Sequence, residues 1–169
     1  MVTLMRLVVL RGLLLACVLV LSACSSKFAT YNGPEVTKVE IFKSQRLLRV
    51  FHGNRLLKSY DVELGFGATG HKQFEGDGRT PEGRYTIDKR NPNSSFYLSL
   101  GISYPNAADK AFAASHGKSP GGDIFIHGQP NKKGKRGPDW TAGCIAVTNR
   151  EMRQLYAMVK DGTVIDIFP

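Results

Sequence analysis

A thiol acts as a nucleophile when a base takes its proton and backbone N–H groups receive the charge that develops on the attacked carbonyl. Cys144 stands in a setting that could meet both needs, Thr141-Ala142-Gly143-Cys144. Glycine directly before the cysteine permits a tight turn, which lets the N–H groups of Gly143 and Cys144 approach a developing oxyanion. Ala142 is small and keeps that approach open. The base has to be a histidine, and the chain has four: His52, His71, His116 and His127. His52 falls in an expected hairpin turn, and His116 lies in a polar stretch with Ser115 and Lys118. His127 ends the apolar run Gly122 to His127, where a strand could aim the imidazole. It is the candidate partner of Cys144.

The chain has 169 residues, 42% of them hydrophobic and 22% charged, which is ordinary usage for one globular domain. Three cysteines are too few, and odd in number, for a disulfide scaffold. Arg6 and Arg11 flank the run Leu7 to Leu21, with no acid before Glu35. A basic start followed by roughly 10 apolar residues has the form of a secretory signal and is short for a membrane span. Leu21-Ser22-Ala23-Cys24 resembles the bacterial lipobox, in which Cys24 becomes the lipid-bearing first residue. Several acyl chains would anchor a protein stably where one is marginal. Ser25 after that cysteine resembles an outer-membrane sorting signal, so the expected location is the periplasm, on an outer-membrane anchor. The expected organisation is a lipoprotein signal over 1–23, a lipidated tether over 24–35 and a catalytic domain over 36–169. Cys144 is then the one free thiol of an exported chain, which marks it as a candidate reactive group rather than a small core hydrophobe.

The elements that must position it are mostly strands. Val36 to Phe42, Arg46 to Phe51 and Arg55 to Leu64 read as a meander joined by short turns. Gly65 to Gly83 is rich in glycine and turn residues and reads as a long loop. Strands are expected again over Arg84 to Asp88, Gly122 to His127, Cys144 to Val147 and Thr163 to Phe168. One helix is expected, from the capping box Thr148-Asn149-Arg150-Glu151 onward. Met152, Leu155, Tyr156 and Val159 repeat on one face of it, as core residues do.

His127-Gly128, then Gln129 to Trp140, then Thr141-Ala142-Gly143-Cys144-Ile145 resembles the signature of the L,D-transpeptidase catalytic domain family. Thr80-Pro81-Glu82-Gly83 is similar to that family's Thr-Pro-x-Gly motif ahead of a strand. Papain-like peptidases place the cysteine before the histidine, so chain order argues against them. The resemblance covers Val36 to Phe168. It implies a mainly β, β-sandwich-like catalytic domain with one helix toward its C-terminal end. It implies Cys144 as nucleophile, His127 as proton donor and acceptor, a thioester intermediate, and peptidoglycan stem peptides as substrate. No metal or other cofactor is implied, and clustered Cys/His ligands for zinc are missing from the sequence. Gly128, Trp140 and Thr141 are candidate substrate-binding residues around the pair.

Two positions depart from many members, which carry His before Gly-Cys and Arg two residues after it. Here these are Ala142 and Ala146. The run Gly143-Cys144-Ile145-Ala146-Val147 resembles a subgroup of small exported members, some of which cut bonds that relatives make. Transfer is nevertheless the first expectation, because the segment Gly128 to Trp140 is long enough to cover the cleft and keep water out. A hydrolase or amidase of the same fold, cutting stem-peptide linkages or wall-attached protein, is the alternative. A non-catalytic wall-binding lipoprotein is the second alternative. Lys132-Lys133-Gly134-Lys135-Arg136 is a basic cluster in the segment between His127 and Cys144, expected to form a flap over the cleft. It would suit carboxylates on stem peptides. Nucleic acid is not an expected partner of an exported lipoprotein.

Overall fold

The computed structural model describes residues 26–67, 69–132 and 136–169. The signal segment, Cys24 and the middle of the basic cluster lie outside the described residues. Eight strands form one curled sheet in the order β3-β2-β1-β8-β4-β5-β6-β7. The meander is present as expected: β1 (Lys38–Phe42), β2 (Leu47–His52) and β3 (Arg55–Asp61). Alternation in β1 and β2 sends Val39, Ile41, Leu48 and Val50 fully inside, and register sets Val39 opposite Val50 and Ile41 opposite Leu48. Burying each such side chain is worth about 1.5–3 kcal/mol, so a slip of one residue would cost the whole face.

On its other edge β1 runs parallel to β8 (Val164–Phe168), the closing strand read from the sequence. Next comes β4 (Gly83–Asn91), which is long because it serves both halves of the sheet. Gly83 to Thr86 pair with β8, whereas Ile87 to Asn91 pair with β5 (Ser99–Ile102). The register shifts between Ile87 and Lys89, a bulge that bends the strand from one half into the other. The second half continues antiparallel into β6 (Phe125–His127), then parallel into the two-residue β7 (Ile145–Ala146).

The two ends of the sheet meet. Just past β3, Glu63 bridges Ala146 of β7, donating to its carbonyl at 2.9 Å and accepting from its N–H at 2.8 Å. Leu64 and Phe66 exchange backbone bonds with Thr141 next to it. Asp139 secures the seam: its carboxylate takes Arg46 Nε at 2.9 Å and Leu64 N–H at 3.0 Å, and its N–H donates to Glu63 Oε2 at 2.7 Å. The Arg46 guanidinium and the Leu64 N–H hold the Asp139 carboxyl below its usual range against the opposing effect of its own burial.

Two helices flank the sheet, one more than the sequence reading allowed. The expected one, α2 (Asn149–Met158), starts on the expected cap: Thr148 accepts from Glu151 N–H, and Glu151 bonds back to Thr148 N–H. It buries Met152, Leu155, Tyr156 and Met158 and packs on β5 and β6. The unanticipated one, α1 (Ala107–Ser115), has its own capping box between Asn106 and Asp109. It buries only Asp109 and Ala113, so it carries no apolar stripe for a periodicity reading to find. The short strand β5 was missed for a related reason, since all four of its residues are buried and show no alternation. The expected tether lies along the domain from Lys27 on. Lys27 Nζ donates to Pro92 O at 2.7 Å, and the Phe28 ring stands 6.1 Å from that of Tyr156.

The glycine-rich loop from Gly65 to Glu82 is pinned from beneath by a cation. Lys43, 2% exposed, donates to Gly70 O at 2.6 Å, Thr80 O at 3.0 Å and Glu82 Oε1 at 2.7 Å. An ammonium brought inside this far is tolerated only when its three protons are spoken for. Asp77 organises the loop's tip, accepting from the N–H groups of Gln73, Phe74 and Arg79 and from Lys72 Nζ. Lys43→Met should leave Glu82 and two carbonyls without their donor and cost about 3–5 kcal/mol of unfolding free energy, measured by urea titration. A loss below about 1 kcal/mol would show that the loop holds itself.

Candidate active site

The parallel pairing of β6 with β7 brings the two expected residues together. Ile126 lies opposite Ile145 and His127 opposite Ala146, which puts Cys144 beside Phe125, two residues from His127 on the same strand face. Both side chains line one cleft of about 250 Å³, whose other walls include Asn91, Ser94, Phe96, Asp123 and Phe125. The thiol donates to Asp123 O at 3.5 Å, and its sulfur accepts from Phe125 N–H at 3.4 Å.

His127 is 4% exposed and its tautomer is fixed. Nδ1 lies 2.7 Å from the carbonyl oxygen of Gly128, which can only accept, so Nδ1 carries the proton. Burial holds the imidazole below its usual pKa, with the Gly128 carbonyl opposing, so at neutral pH the ring is uncharged and Nε2 has a free lone pair. The Phe96 ring lies 4.5 Å from the imidazole and that of Trp140 5.6 Å, and these two rings stand 6.0 Å from each other, so the three make one aromatic cluster. Phe96 was not anticipated: it lies in the loop before β5, and no spacing in the sequence links it to His127.

The turn before Cys144 is built for close backbone approach. Gly143 has φ +127, and a Cβ there would lie 2.6 Å from Arg79 O. Thr141, a candidate for substrate contact, is buried, and its hydroxyl is used within the turn. It accepts from Gly143 N–H at 3.2 Å and donates to Cys144 O at 2.7 Å. Of the two N–H groups expected at an oxyanion, that of Gly143 is therefore engaged. Among the described residues no hydrogen bond engages that of Cys144. Gly128 donates to Phe96 O at 3.0 Å, and a Cβ on it would lie 2.5 Å from Asn149 Oδ1, so close packing explains this glycine. Trp140 is half-buried at the root of the segment that returns to the thiol, with Arg136 over its ring at 5.0 Å.

The other histidines are occupied elsewhere. His71 accepts from Glu82 N–H at Nδ1 and donates from Nε2 to the Asp109 carboxylate, tying the loop to α1. His52 bonds Glu35 O, and His116 caps α1 against Phe112. The histidine chosen by strand position is the one that shares the cleft with Cys144.

The pattern of the YkuD L,D-transpeptidase catalytic domain matches residues 37–167. The chain belongs to this L,D-transpeptidase family. A curated relative named for L,D-transpeptidase activity, YafK of Escherichia coli (strain K12), is 31% identical over 132 residues, which are 75% of this chain and 48% of the relative. The helical cell shape determining protein Pgp2 of Campylobacter jejuni superposes with a TM-score of 0.64 at 27% identity, over 85% of this chain and 51% of that one. L,D-transpeptidase 1 of Mycobacterium tuberculosis shares the fold, with a TM-score of 0.51 at 12% identity, over 78% of this chain and 60% of that one. The chain thus spans about half the length of YafK and Pgp2.

Burial pushes the Cys144 thiol above its ordinary pKa, and the Asp123 charge adds to this, while Phe125 N–H and Lys72 pull the other way. With the thiol raised and the imidazole lowered, the resting pair of this transpeptidase domain is neutral. Alkylation of Cys144 by iodoacetamide should be slow at pH 7 and rise through and beyond the ordinary thiol range. A rate already on its plateau at pH 7 would indicate a standing thiolate–imidazolium pair instead.

Proposed function

We propose that the chain is a cysteine acyltransferase acting on peptidoglycan stem peptides in cell-wall biogenesis. What supports this above all is that a thiol and a neutral imidazole, with Nε2 as its lone-pair nitrogen, line one cleft. The steps then balance as follows. The thiol leaves Asp123 O and passes its proton to His127 Nε2 while Sγ bonds to the stem-peptide carbonyl carbon. Cys144 N–H receives the oxyanion, and the turn held by Thr141 keeps that N–H in place. The C–N bond breaks, the departing amine takes the proton from His127, and a thioester remains. An acceptor amine attacks the thioester carbonyl and passes its proton to His127, the C–S bond breaks as the new amide forms, and His127 returns the proton to Sγ.

Hydrolysis is a second reading, with water in place of the amine. It draws on residue 146, where many relatives carry arginine. Here Ala146 is fully buried and both its N–H and its C=O are committed to Glu63, so no cation at this position holds a substrate carboxylate. Mass spectra of muropeptides incubated with the purified protein separate the two. New amide-linked products with release of the terminal D-amino acid mean transfer, whereas shortened stems or released wall-linked protein mean hydrolysis.

Cys144→Ala should reduce turnover by several orders of magnitude while leaving the fold intact. His127→Gln should come close to it, and His52→Gln, His71→Gln and His116→Gln should lose far less. Full activity in Cys144→Ala would overturn the cysteine mechanism. We also propose that an acylated Cys24 anchors the protein to the outer membrane. Cys24→Ala should then move it from the membrane fraction to the soluble one, and continued sedimentation with membranes would refute the anchor.

A further inference from the structure

An acid beside a nucleophile that must become an anion is a liability. Asp123 is such an acid. It precedes β6 with φ +54, a left-handed backbone that few residues other than glycine adopt, and this bend carries its carbonyl to the thiol. Its side chain is exposed and lines the same cleft as Cys144 and His127. Among the described residues no ion pair or hydrogen bond takes up its carboxylate. The nearby cations do not substitute for one. Lys72 is buried with its ammonium held by Asp77 Oδ1 at 2.9 Å and Phe74 O at 3.0 Å. Lys89 stands 5.7 Å over the Phe125 ring. His127 is neutral, and Asn91, Ser94 and Ser95 on the remaining walls carry no charge. A chain with a formal charge of +9 thus keeps an unpaired negative charge where its substrate must enter.

We propose that Asp123 is a specificity residue whose carboxylate seats a free ammonium of the acyl-donor peptide beside the thiol. This rests on the stem-peptide reading above and names the feature of the donor that the cleft selects. The cost of the acid is then removed by the correct substrate. An arriving ammonium cancels the part of the opposition to thiolate formation that comes from Asp123, so a cationic donor eases formation of the nucleophile beyond what burial alone allows. A donor with that amino group blocked leaves both the carboxylate and the thiol as they were.

The test uses a stem tetrapeptide with a free side-chain amino group and the same peptide acetylated there. Binding of both to the Cys144→Ala protein is measured by calorimetry, and turnover of both by the wild type. The free peptide should bind about fivefold more tightly, the scale of a partly exposed ion pair. It should also be turned over with the higher kcat/KM. Asp123→Asn in either background should erase the preference. In the presence of the native thiol it should also move the alkylation profile of Cys144 to lower pH, which a purely structural role of Asp123 would not do. Equal binding of the two peptides, or a preference that survives Asp123→Asn, overturns the inference. Selective binding to Cys144→Ala without any turnover by the wild type overturns the proposed function and leaves the cation subsite standing.

Discussion

Three stretches of backbone meet behind the nucleophile with no space for a side chain between them. A Cβ on Gly65 would come 2.0 Å from Gly78 O and 2.8 Å from the Cα of Gly143, and one on Gly143 would meet Arg79 O. Contacts that short do not occur, so glycine is required at the crossing for steric reasons. The consequences spread outward. Gly65 lies on the segment that closes the sheet against Thr141, Gly78 and Arg79 lie on the loop pinned by Lys43, and Gly143 sets the direction of Cys144. Closure of the sheet, burial of a lysine and aim of the thiol are one packing problem with one solution. A wider crossing would open the seam and turn the thiol at the same time.

The electrostatics follow from that enclosure. Taking the thiol and the imidazole out of water penalises whichever of them is charged, so both rest neutral. A neutral pair has little to lose by being dry and little reactivity toward stray electrophiles. In the proposed mechanism, charge separation is induced at the moment of attack by groups already pointed at it, among them the N–H of Phe125 on the sulfur and the carbonyl of Gly128 on Nδ1. Phe96 and Trp140 keep the ring in its plane while this happens. This is preorganisation of the low-dielectric kind, in which dipoles are fixed in advance and cost no reorientation during the reaction.

Residues whose role is local could be read from the chain. The alternation of β1 and β2, the Thr148 cap and the glycine before Cys144 each show their physics within a few neighbours. The choice of His127 as partner of Cys144 is legible for a different reason: it ends an apolar strand, and its spacing to Gly143-Cys144 resembles the family signature. What stayed hidden depends on partners distant in sequence. Lys43 looks like a surface lysine at a hairpin until Gly70, Thr80 and Glu82 arrive to surround it. Asp139 looks like a loop residue until Arg46 and Leu64 converge on it. Thr141 is a candidate substrate contact from its place in the motif, and the bonds its hydroxyl makes to Gly143 and Cys144 within the turn show only in the fold.

β7 shows why so small an element carries so much. It has two residues, and it is bonded on one side to β6 and bridged on the other by Glu63, so it is an interior strand despite its length. Ala146, the second of its residues, has no exposed surface. Its N–H and C=O are both taken by the backbone of Glu63, and its side chain offers no charge to a substrate. The Glu63 contact also fixes Asp139, whose N–H it accepts, and Asp139 precedes Trp140 at the root of the segment that returns to the thiol. Burial of the small Ala146 side chain and closure of the sheet thus meet at one residue. Recognition of the substrate then has to be drawn from the open walls of the cleft, where Asp123 stands unpaired.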